Sequence, residues 1–213
     1  MLDSILWGNP TQKQLLHVEA PTPLEAFVPQ VITFANPLNS SKATREELNT
    51  LVDYVAALKG DAETLRRYSI YDANMKKYWA SVVIEHELGD KAVDMIDNLM
   101  QEALPFVYRL KYHFQRPRPA QLAAHYKLKL FPFQSFSSDS PSYPSEHVFT
   151  THLICYVLGN NFPDKFDYFD VLLKDVVYSR QYMGLNYPSD CDFAQYCVET
   201  IVRDRDFKQR YGL

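Results

Sequence analysis

The sequence predicts an all-α protein, a single-domain helical bundle that spans residues 1–213. Glycine is scarce, with six in 213 residues, and alternating runs of β-branched residues, which are typical of strands, are rare. Several segments instead repeat apolar residues three and four positions apart, which gives a helix one apolar face. With 46% hydrophobic and 23% charged residues, the chain has an ordinary globular composition and is long enough to bury a sizeable core.

The first half of the chain supplies clear helix signals. In "ATREELNTLVDYVAALKG", Thr44 and Glu47 have the spacing of a capping box, an apolar helical stripe follows, and Gly60 marks the end. Asp61 is placed to cap the next helix, which runs toward "TLRRYS". The segment "NMKKYWASVVIEHELG" predicts a further helix that ends at Gly89.

A longer helical stretch, "KAVDMIDNLMQEALPFVYRLKYHF", follows, and its Pro105 predicts a break or a kink. The segments "RPRP" and "FPFQSFSSDSPSYPS" then predict an ordered loop. A second helical series covers "EHVFTTHLICYVLG", "DKFDYFDVLLKDVVYSRQYMG" and "SDCDFAQYCVETIVRDRDFKQRYG", the last capped by Ser189. Residues 1–40, rich in Pro and Asn, are expected to wrap the surface of the same domain.

Composition and charge argue against several classes of function. A net charge of −4 and a pI near 5.9 argue against binding of a nucleic-acid duplex. Three cysteines are too few and too odd in number for a disulfide framework, so we expect reduced thiols and a cytoplasmic location. The start of the sequence lacks the features of a signal peptide, and no apolar stretch approaches the roughly 20 residues of a membrane span. The oligomeric state stays open.

Three polar segments interrupt the helical pattern. "KYHFQRPRP" carries Lys111 and Arg118, "PSEH" covers residues 144–147, and "SRQYMGLNYPSD" covers residues 179–190. Taken singly, each has a structural interpretation, because most lysines and arginines are solvated and a serine after a proline often begins a helix.

Taken together, the segments predict an anion site. A phosphoryl group has several anionic oxygens, which arginine binds through paired N–H donors and lysine binds as a point charge. The helix start at "PSEH" adds unpaired backbone N–H groups and the positive end of a dipole. Lys111, Arg118 and Arg180 around such a helix start, with His147 as an acid, predict a phosphate cradle.

The order of these segments resembles the type 2 phosphatidic acid phosphatase (PAP2) superfamily, which also includes bacterial non-specific acid phosphatases and vanadium-dependent haloperoxidases. The matching patterns are Lys-x6-Arg-Pro, Pro-Ser-x-His and Ser-Arg-x5-His-x3-Asp, and in this chain they fall within residues 111–190. Any one motif is weak, but three in this order are specific. The resemblance implies a helical bundle of the PAP2/haloperoxidase type.

The resemblance also implies roles for individual residues. The phosphate-binding residues would be Lys111, Arg118, Ser145, Glu146 through its backbone N–H, and Arg180. His147 would be the general acid that protonates the leaving alcohol. The position of Asn186 is normally a histidine that attacks phosphorus and becomes a phosphohistidine, and Asp190 would orient that histidine.

Two residues depart from the family pattern. Glu146 stands where the family usually has glycine, and a carboxylate near the pocket would repel phosphate unless it pointed away. Asn186 replaces the nucleophile, and because an amide cannot accept a phosphoryl group, this form of the protein is expected to be inactive or severely impaired.

Three interpretations of Asn186 remain open. An introduced substitution of a working enzyme would explain why Asp190 is still present although its imidazole partner is missing. A natural pseudoenzyme that binds a phosphorylated ligand is the second interpretation. The third is rescue by another histidine such as His113, although no feature of the sequence places that residue opposite a leaving group.

The predicted function is a phosphatase-type hydrolase that acts on a phosphorylated small molecule and needs no cofactor. The alternatives are a phospho-ligand-binding pseudoenzyme and a vanadate-dependent haloperoxidase, for which vanadate would be the cofactor; for a phosphatase it would be an inhibitor. The short chain disfavours the haloperoxidase, because the haloperoxidases of the superfamily are larger. The absence of predicted membrane spans argues against the integral lipid phosphatases of the superfamily.

Overall fold

The computed structural model describes residues 2–34 and 36–213, and in these ranges it contains helices and loops but no β-strand. The helices in chain order are α1 (Gln12–Glu19), α2 (Val28–Val31), α3 (Lys42–Leu58), α4 (Ala62–Ala73), α5 (Met75–Glu85), α6 (Asp90–Phe114), α7 (Pro119–Ala123), α8 (Glu146–Asn161), α9 (Phe166–Tyr182), α10 (Pro188–Ile201) and α11 (Arg205–Tyr211). The prediction of an all-α fold is confirmed.

Helix α8 lies in the centre of the bundle and packs against α6, α9 and α10. Its apolar residues surround the helix instead of forming one stripe, and most of its side chains are buried. A helix that is apolar on all sides is stable only when neighbours cover it on all sides. The first turn of α8, which carries the "PSEH" motif, therefore lies inside the protein.

Helix α6 continues through Pro105, so the predicted break is absent. Proline removes one backbone hydrogen bond from a helix and crowds the preceding turn. Here the proline and its neighbours Phe106 and Val107 are buried in the core, and this packing outweighs the lost bond. The uninterrupted helix carries Lys111 in its last turn and ends at Phe114, and the next residue, Gln115, has a left-handed φ of 51°.

The predicted cap of helix α3 is wrong. The helix begins one residue after Ser41, whose hydroxyl accepts a hydrogen bond of 3.1 Å from the Thr44 N–H. Thr44 is buried within the first turn and donates to the Leu38 carbonyl. Glu47 is therefore not part of a capping box. Its carboxylate instead reaches the start of α10, where it accepts a hydrogen bond of 2.7 Å from the Ser189 N–H.

The predicted cap at Ser189 is also wrong. Helix α10 begins one residue earlier, at Pro188, which is a favourable first helical residue because it has no N–H to leave unpaired. Ser189 lies in the first turn. Helix α10 ends at Ile201, and the last part of the predicted helix forms a separate helix, α11. Asp204 caps α11 by accepting a hydrogen bond of 2.9 Å from the Phe207 N–H.

Two other local predictions are confirmed. Asp61 caps α4 through a hydrogen bond of 3.0 Å from the Thr64 N–H. The loop between α7 and α8 is held by the rest of the fold, because the Phe133 N–H donates to the Met183 carbonyl and the Ser142 N–H donates to the Arg116 carbonyl.

The thiols of Cys155, Cys191 and Cys197 are buried and form no disulfide. Within the described ranges, no helix combines the length and the apolar character that crossing a membrane requires.

Candidate phosphate site

The three polar segments meet where the end of α6, the start of α8 and the end of α9 approach one another. Seven of the predicted site residues have buried side chains, namely Lys111, Arg118, Ser145, His147, Arg180, Asn186 and Asp190, and Glu146 is partly exposed. Interpreting Lys111 and Arg118 as solvated surface charges is therefore wrong. Arginine and lysine are rarely buried completely without partners, so their contacts define what the site can do.

Asn186 stands at the centre of these contacts. Its amide group donates hydrogen bonds of 2.8 Å to the Ser142 carbonyl and 3.2 Å to Oδ2 of Asp190. Its Oδ1 accepts from the Ser145 hydroxyl and from Nε of Arg180, both at 3.4 Å. The donors and acceptors around the amide thus fix its orientation. The nitrogen faces Asp190, and the oxygen faces the serine and the arginine.

Asp190 has partners that do not depend on residue 186. Its Oδ1 accepts a hydrogen bond of 2.6 Å from Arg116, and its Oδ2 accepts one of 2.9 Å from the Tyr187 N–H at the start of α10. The carboxylate thus keeps a structural role in the absence of an imidazole. Its presence therefore does not distinguish an introduced substitution at Asn186 from a natural pseudoenzyme.

Arg116 is a residue that the sequence analysis missed. Its guanidinium is buried, lies 3.8 Å above the Tyr187 ring, and bonds both Asp190 and, at 3.0 Å, Glu47. Burial opposes the charged form, but the two carboxylates outweigh burial and raise the pKa of Arg116. The only signal in the sequence is its place inside "QRPRP", where the motif counts Arg118 instead.

Arg180 is paired with Asp72, the second residue that the sequence analysis missed. Their side chains form a buried salt bridge of 2.7 Å. Burial opposes ionisation of Asp72, but attraction to Arg180 and hydrogen bonds from Ser137 and the Phe136 N–H outweigh it, so the pKa of Asp72 is lowered. Asp72 lies in the last turn of α4, before all three motifs in the chain, so no motif spacing indicates it.

Lys111 and Arg118 are held by backbone carbonyls. Nζ of Lys111 donates to the Pro141 carbonyl at 2.6 Å, and Arg118 donates to the carbonyls of Ser140 and Leu185 at 2.8 and 2.9 Å. Burial, followed by repulsion from Arg118, lowers the pKa of Lys111 to about 7. Burial and repulsion from Arg180 lower the pKa of Arg118 to about 10. Both groups keep N–H donors beyond those that fix them.

The start of α8 leaves its backbone donors unpaired. Ser145 occupies the N-cap position but makes no capping bond, since its hydroxyl is turned to Asn186. The first intrahelical bond joins the Phe149 N–H to the Ser145 carbonyl. The N–H groups before it, at Glu146 and His147, find no acceptor among the described residues. Unpaired N–H groups at a helix start favour an anion.

His147 is 6% exposed, and its ring makes no hydrogen bond within the described part of the chain. Burial is the largest cause that lowers the pKa of His147 well below its usual value, and repulsion from Arg180 adds to it. The imidazole is therefore neutral at pH 7 when no anion is bound. An anion beside it would offset the cationic neighbours and favour the protonated form.

A cavity of about 260 Å³ opens beside His147. It is lined by Asp72, Ala73, Asn74, Met75, Met100, Leu104, Phe136, Ser137, Glu146, His147 and Thr150. Glu146, the residue that departs from the family pattern, thus faces a cavity and not the body of the protein. Within residues 2–34 and 36–213, no cluster of three or more His, Cys, Asp or Glu side chains is arranged to hold a metal ion.

Comparison with protein-family models matches residues 97–195 to the PAP2 superfamily. A search of curated proteins gives no significant match. The matched segment contains all eight predicted site residues and Arg116, whereas Glu47 and Asp72 lie outside it. The resemblance inferred from the motifs is thereby confirmed, and residues 97–195 are a PAP2-superfamily segment, which implies phosphatase-type hydrolase activity in general.

Proposed function

We propose that this chain has the scaffold of a phosphatase-type hydrolase for a phosphorylated small molecule, and that with Asn186 it binds such a ligand but does not turn it over. One observation carries the proposal: three buried cationic side chains, Lys111, Arg118 and Arg180, surround the unpaired start of α8. Arg180 already has the carboxylate of Asp72, but Lys111 and Arg118 are bonded only to backbone carbonyls. Buried cations with spare donors and no anionic partner are costly, so the convergence of these side chains favours an anion with several oxygens.

With a histidine at position 186, the site supports a two-step reaction. The ring nitrogen attacks phosphorus, the bond from phosphorus to the alcohol oxygen breaks, and His147 protonates the leaving oxygen. Water then attacks the phosphohistidine, gives its proton to His147, and releases phosphate as the P–N bond breaks. The first step requires a protonated His147. Bound phosphate favours this form, because its negative charge offsets the cationic neighbours that lower the pKa of His147.

Asn186 cannot perform the first step. Its nitrogen lone pair is delocalised into the amide, and that nitrogen is committed to Ser142 and Asp190. The atom that faces the site is Oδ1, which Ser145 and Arg180 hold in place. The ligand would therefore meet a hydrogen-bond acceptor where the reaction needs a nucleophile.

The test is Asn186→His. We expect this variant to release phosphate from an aryl phosphate ester and to be inhibited by vanadate, while the Asn186 protein and the double variant Asn186→His/His147→Gln stay at least about 100-fold slower. Asn186→Ala controls for a change in packing without a nucleophile. A folded Asn186→His protein that binds phosphate but hydrolyses no aryl or alkyl phosphate would overturn the hydrolase assignment.

Binding is tested in the Asn186 protein itself by calorimetry with inorganic phosphate. Arg180→Lys keeps one positive charge but loses the paired donors, and we expect it to weaken binding by about tenfold or more. Arg203→Lys, on an exposed side chain, is the matched control and should leave binding unchanged. Absence of phosphate binding by the Asn186 protein would exclude the anion site.

A natural phospho-ligand-binding protein is the second candidate, and the contacts of Asn186 favour it. Each polar atom of the amide has a complementary partner, as in a native buried residue. Tight binding of a phosphorylated ligand to the Asn186 protein, combined with an inactive Asn186→His variant, would select this candidate. For either function we propose the cytoplasm as the location, since three free, buried thiols fit a reducing compartment.

A further inference from the structure

We infer that Glu146 and the cavity beside His147 form a subsite for the alcohol part of the ligand, and that it selects phosphoesters whose alcohol carries a cationic ammonium group. The inference rests on the proposed phosphate site and adds the substrate class. It is carried by the position of one residue, Glu146, which lies between the cationic cradle and an apolar cavity.

The cavity adjoins the position where the leaving oxygen would lie. His147 lines the cavity, is buried, and has no hydrogen-bond partner in the ranges that the structure describes. In the proposed reaction this ring protonates the leaving oxygen, so the alcohol carbon attached to that oxygen continues from His147 into the cavity. Its volume of about 260 Å³ lies just below the roughly 300–1,000 Å³ that is usual for organic ligands, which limits the alcohol to a short chain.

The charge on the cavity wall is opposite to that of the phosphate cradle. Asp72 and Glu146 contribute carboxylates, and among the described residues no lysine or arginine lines the cavity. Asp72 is already neutralised by its salt bridge with Arg180. Glu146 attracts Lys111 and Arg118 at longer range, but within the described ranges it makes no salt bridge and accepts no hydrogen bond. Its carboxylate oxygens therefore stay available to a cationic ligand group.

The remainder of the wall suits an alkylammonium group. Met75, Met100 and Leu104 supply apolar surface, and the exposed side chain of Phe136 adds an aromatic ring, a group that attracts cations. The whole site therefore has cations at one end and a free carboxylate at the other. A zwitterionic phosphoester of a short amino alcohol has the matching distribution of charge.

Glu146 also has a simpler interpretation, since an acidic residue in the first turn of α8 interacts favourably with the helix dipole. In that case its carboxylate would only repel anions, and it would do so equally for every phosphoester. The two interpretations therefore differ in how a change at Glu146 affects two ligands of the same shape and different charge.

The experiment compares phosphocholine with 3,3-dimethylbutyl phosphate, in which carbon replaces the quaternary nitrogen, by calorimetry on the Asn186 protein. We expect phosphocholine to bind about tenfold more tightly. In Glu146→Gln the difference should fall to within about twofold. Equal binding of the two esters to the unchanged protein, or an equal gain for both in Glu146→Gln, would overturn the inference.

A steric variant locates the subsite without changing charge. Ala73 lines the cavity and is exposed at the end of α4. We expect Ala73→Trp to weaken phosphocholine binding at least about tenfold and to leave inorganic phosphate binding unchanged. Ala56→Trp, exposed on α3, is the control for an added indole. An unchanged phosphocholine affinity in Ala73→Trp would exclude this cavity.

Inorganic phosphate separates failure of the inference from failure of the proposed function. If the protein binds phosphate but discriminates between the two esters by less than twofold, the phosphate site stands and the ammonium subsite is excluded. If it binds neither phosphate nor the esters, the proposed function fails and the inference fails with it. In the Asn186→His background, the same preference should appear in kcat/KM for the two esters.

Discussion

Asn186 donates a hydrogen bond of 3.2 Å from its side-chain nitrogen to Oδ2 of Asp190. An N–H facing this carboxylate is the arrangement that would orient a histidine at the same position. The asparagine therefore reproduces the donor that Asp190 requires and lacks only the nucleophilic atom. Because Arg116 and the Tyr187 N–H also hold Asp190, the carboxylate stays ordered whatever residue 186 is.

This pairing predicts that two substitutions at position 186 differ in their cost to stability. Asn186→Asp replaces a donor with an acceptor that faces the Ser142 carbonyl and the Asp190 carboxylate, so like charges and unpaired acceptors are buried together. We expect it to lower the free energy of unfolding by about 3–5 kcal/mol at pH 7. Asn186→Ala removes the donor and the acceptor without adding a charge and should cost about 1–3 kcal/mol. Urea unfolding compares the two, and equal losses would contradict the assigned orientation of the amide.

Arg116 is predicted to matter for stability although it carries no role in the motif. It is the buried partner of Asp190 and Glu47, so Arg116→Ala leaves Asp190 without its cation in the interior. We expect a loss of about 3–5 kcal/mol in the free energy of unfolding. The control is Arg203→Ala, whose ion pair with Glu199 is exposed and 3.9 Å long, and it should change stability by less than about 0.5 kcal/mol. Similar effects of the two substitutions would show that the buried pair is not structural.

The sequence predicted the fold class and the convergence of the three motifs, because helical periodicity and motif spacing are local features. The partners of the motif residues are not local. Arg180 pairs with Asp72 across 108 positions and Arg116 with Glu47 across 69, and only the packing of α3 and α4 against the site brings them together. The same packing explains the wrong cap. Ser41 with Thr44 and Thr44 with Glu47 are both plausible caps, and the tertiary role of Glu47 decides between them.

The lowered pKa of Lys111 predicts a pH-dependent proton uptake on anion binding. Burial and repulsion from Arg118 lower this pKa from 10.5 to about 7, so the amine is largely neutral at pH 8 before an anion binds. A bound anion restores the charged form. Sulfate is the suitable probe, because it does not titrate near neutrality. We expect its binding at pH 8 to take up close to one proton and at pH 6 far less from this group, measured by calorimetry in buffers of different ionisation enthalpy.

Two variants test whether Lys111 is the group that takes up this proton. Lys111→Met should abolish the uptake at pH 8. His147→Gln should retain it, because histidine has a lower ordinary pKa than lysine and the pKa of His147 is lowered further.

The pH dependence of the free energy of unfolding is an independent test of the lowered pKa of Lys111. The folded protein holds fewer protons on Lys111 than the unfolded chain between about pH 7 and pH 10, so this group makes stability rise with pH across that window. A flat profile that is identical in Lys111→Met would refute the lowered pKa.

The turn that precedes Asn186 has no room for a side chain at Gly184. The residue follows α9, has φ of +73°, and a Cβ built on it would lie 2.8 Å from Cγ2 of Val55 and 3.3 Å from the Pro132 backbone. Gly184→Ala therefore has two costs. Alanine must adopt a left-handed backbone conformation, and its Cβ collides with Val55 of α3 and with Pro132 of the loop before α8. We expect a loss of about 2–4 kcal/mol in the free energy of unfolding.

Gly212 supplies the matched control for backbone conformation. Its φ is +68°, nearly that of Gly184, but nothing lies within 4 Å of the added Cβ, so Gly212→Ala should cost only about 1 kcal/mol. The two variants should also differ in binding. Gly184 is followed by Leu185, whose carbonyl accepts a hydrogen bond from Arg118, and by Asn186. A backbone shift that relieves the collision therefore also moves Arg118 and Asn186. Phosphate affinity should fall several-fold in Gly184→Ala and stay unchanged in Gly212→Ala. Equal stability losses in the two variants would mean that the turn yields without strain and that Val55 and Pro132 do not fix its position.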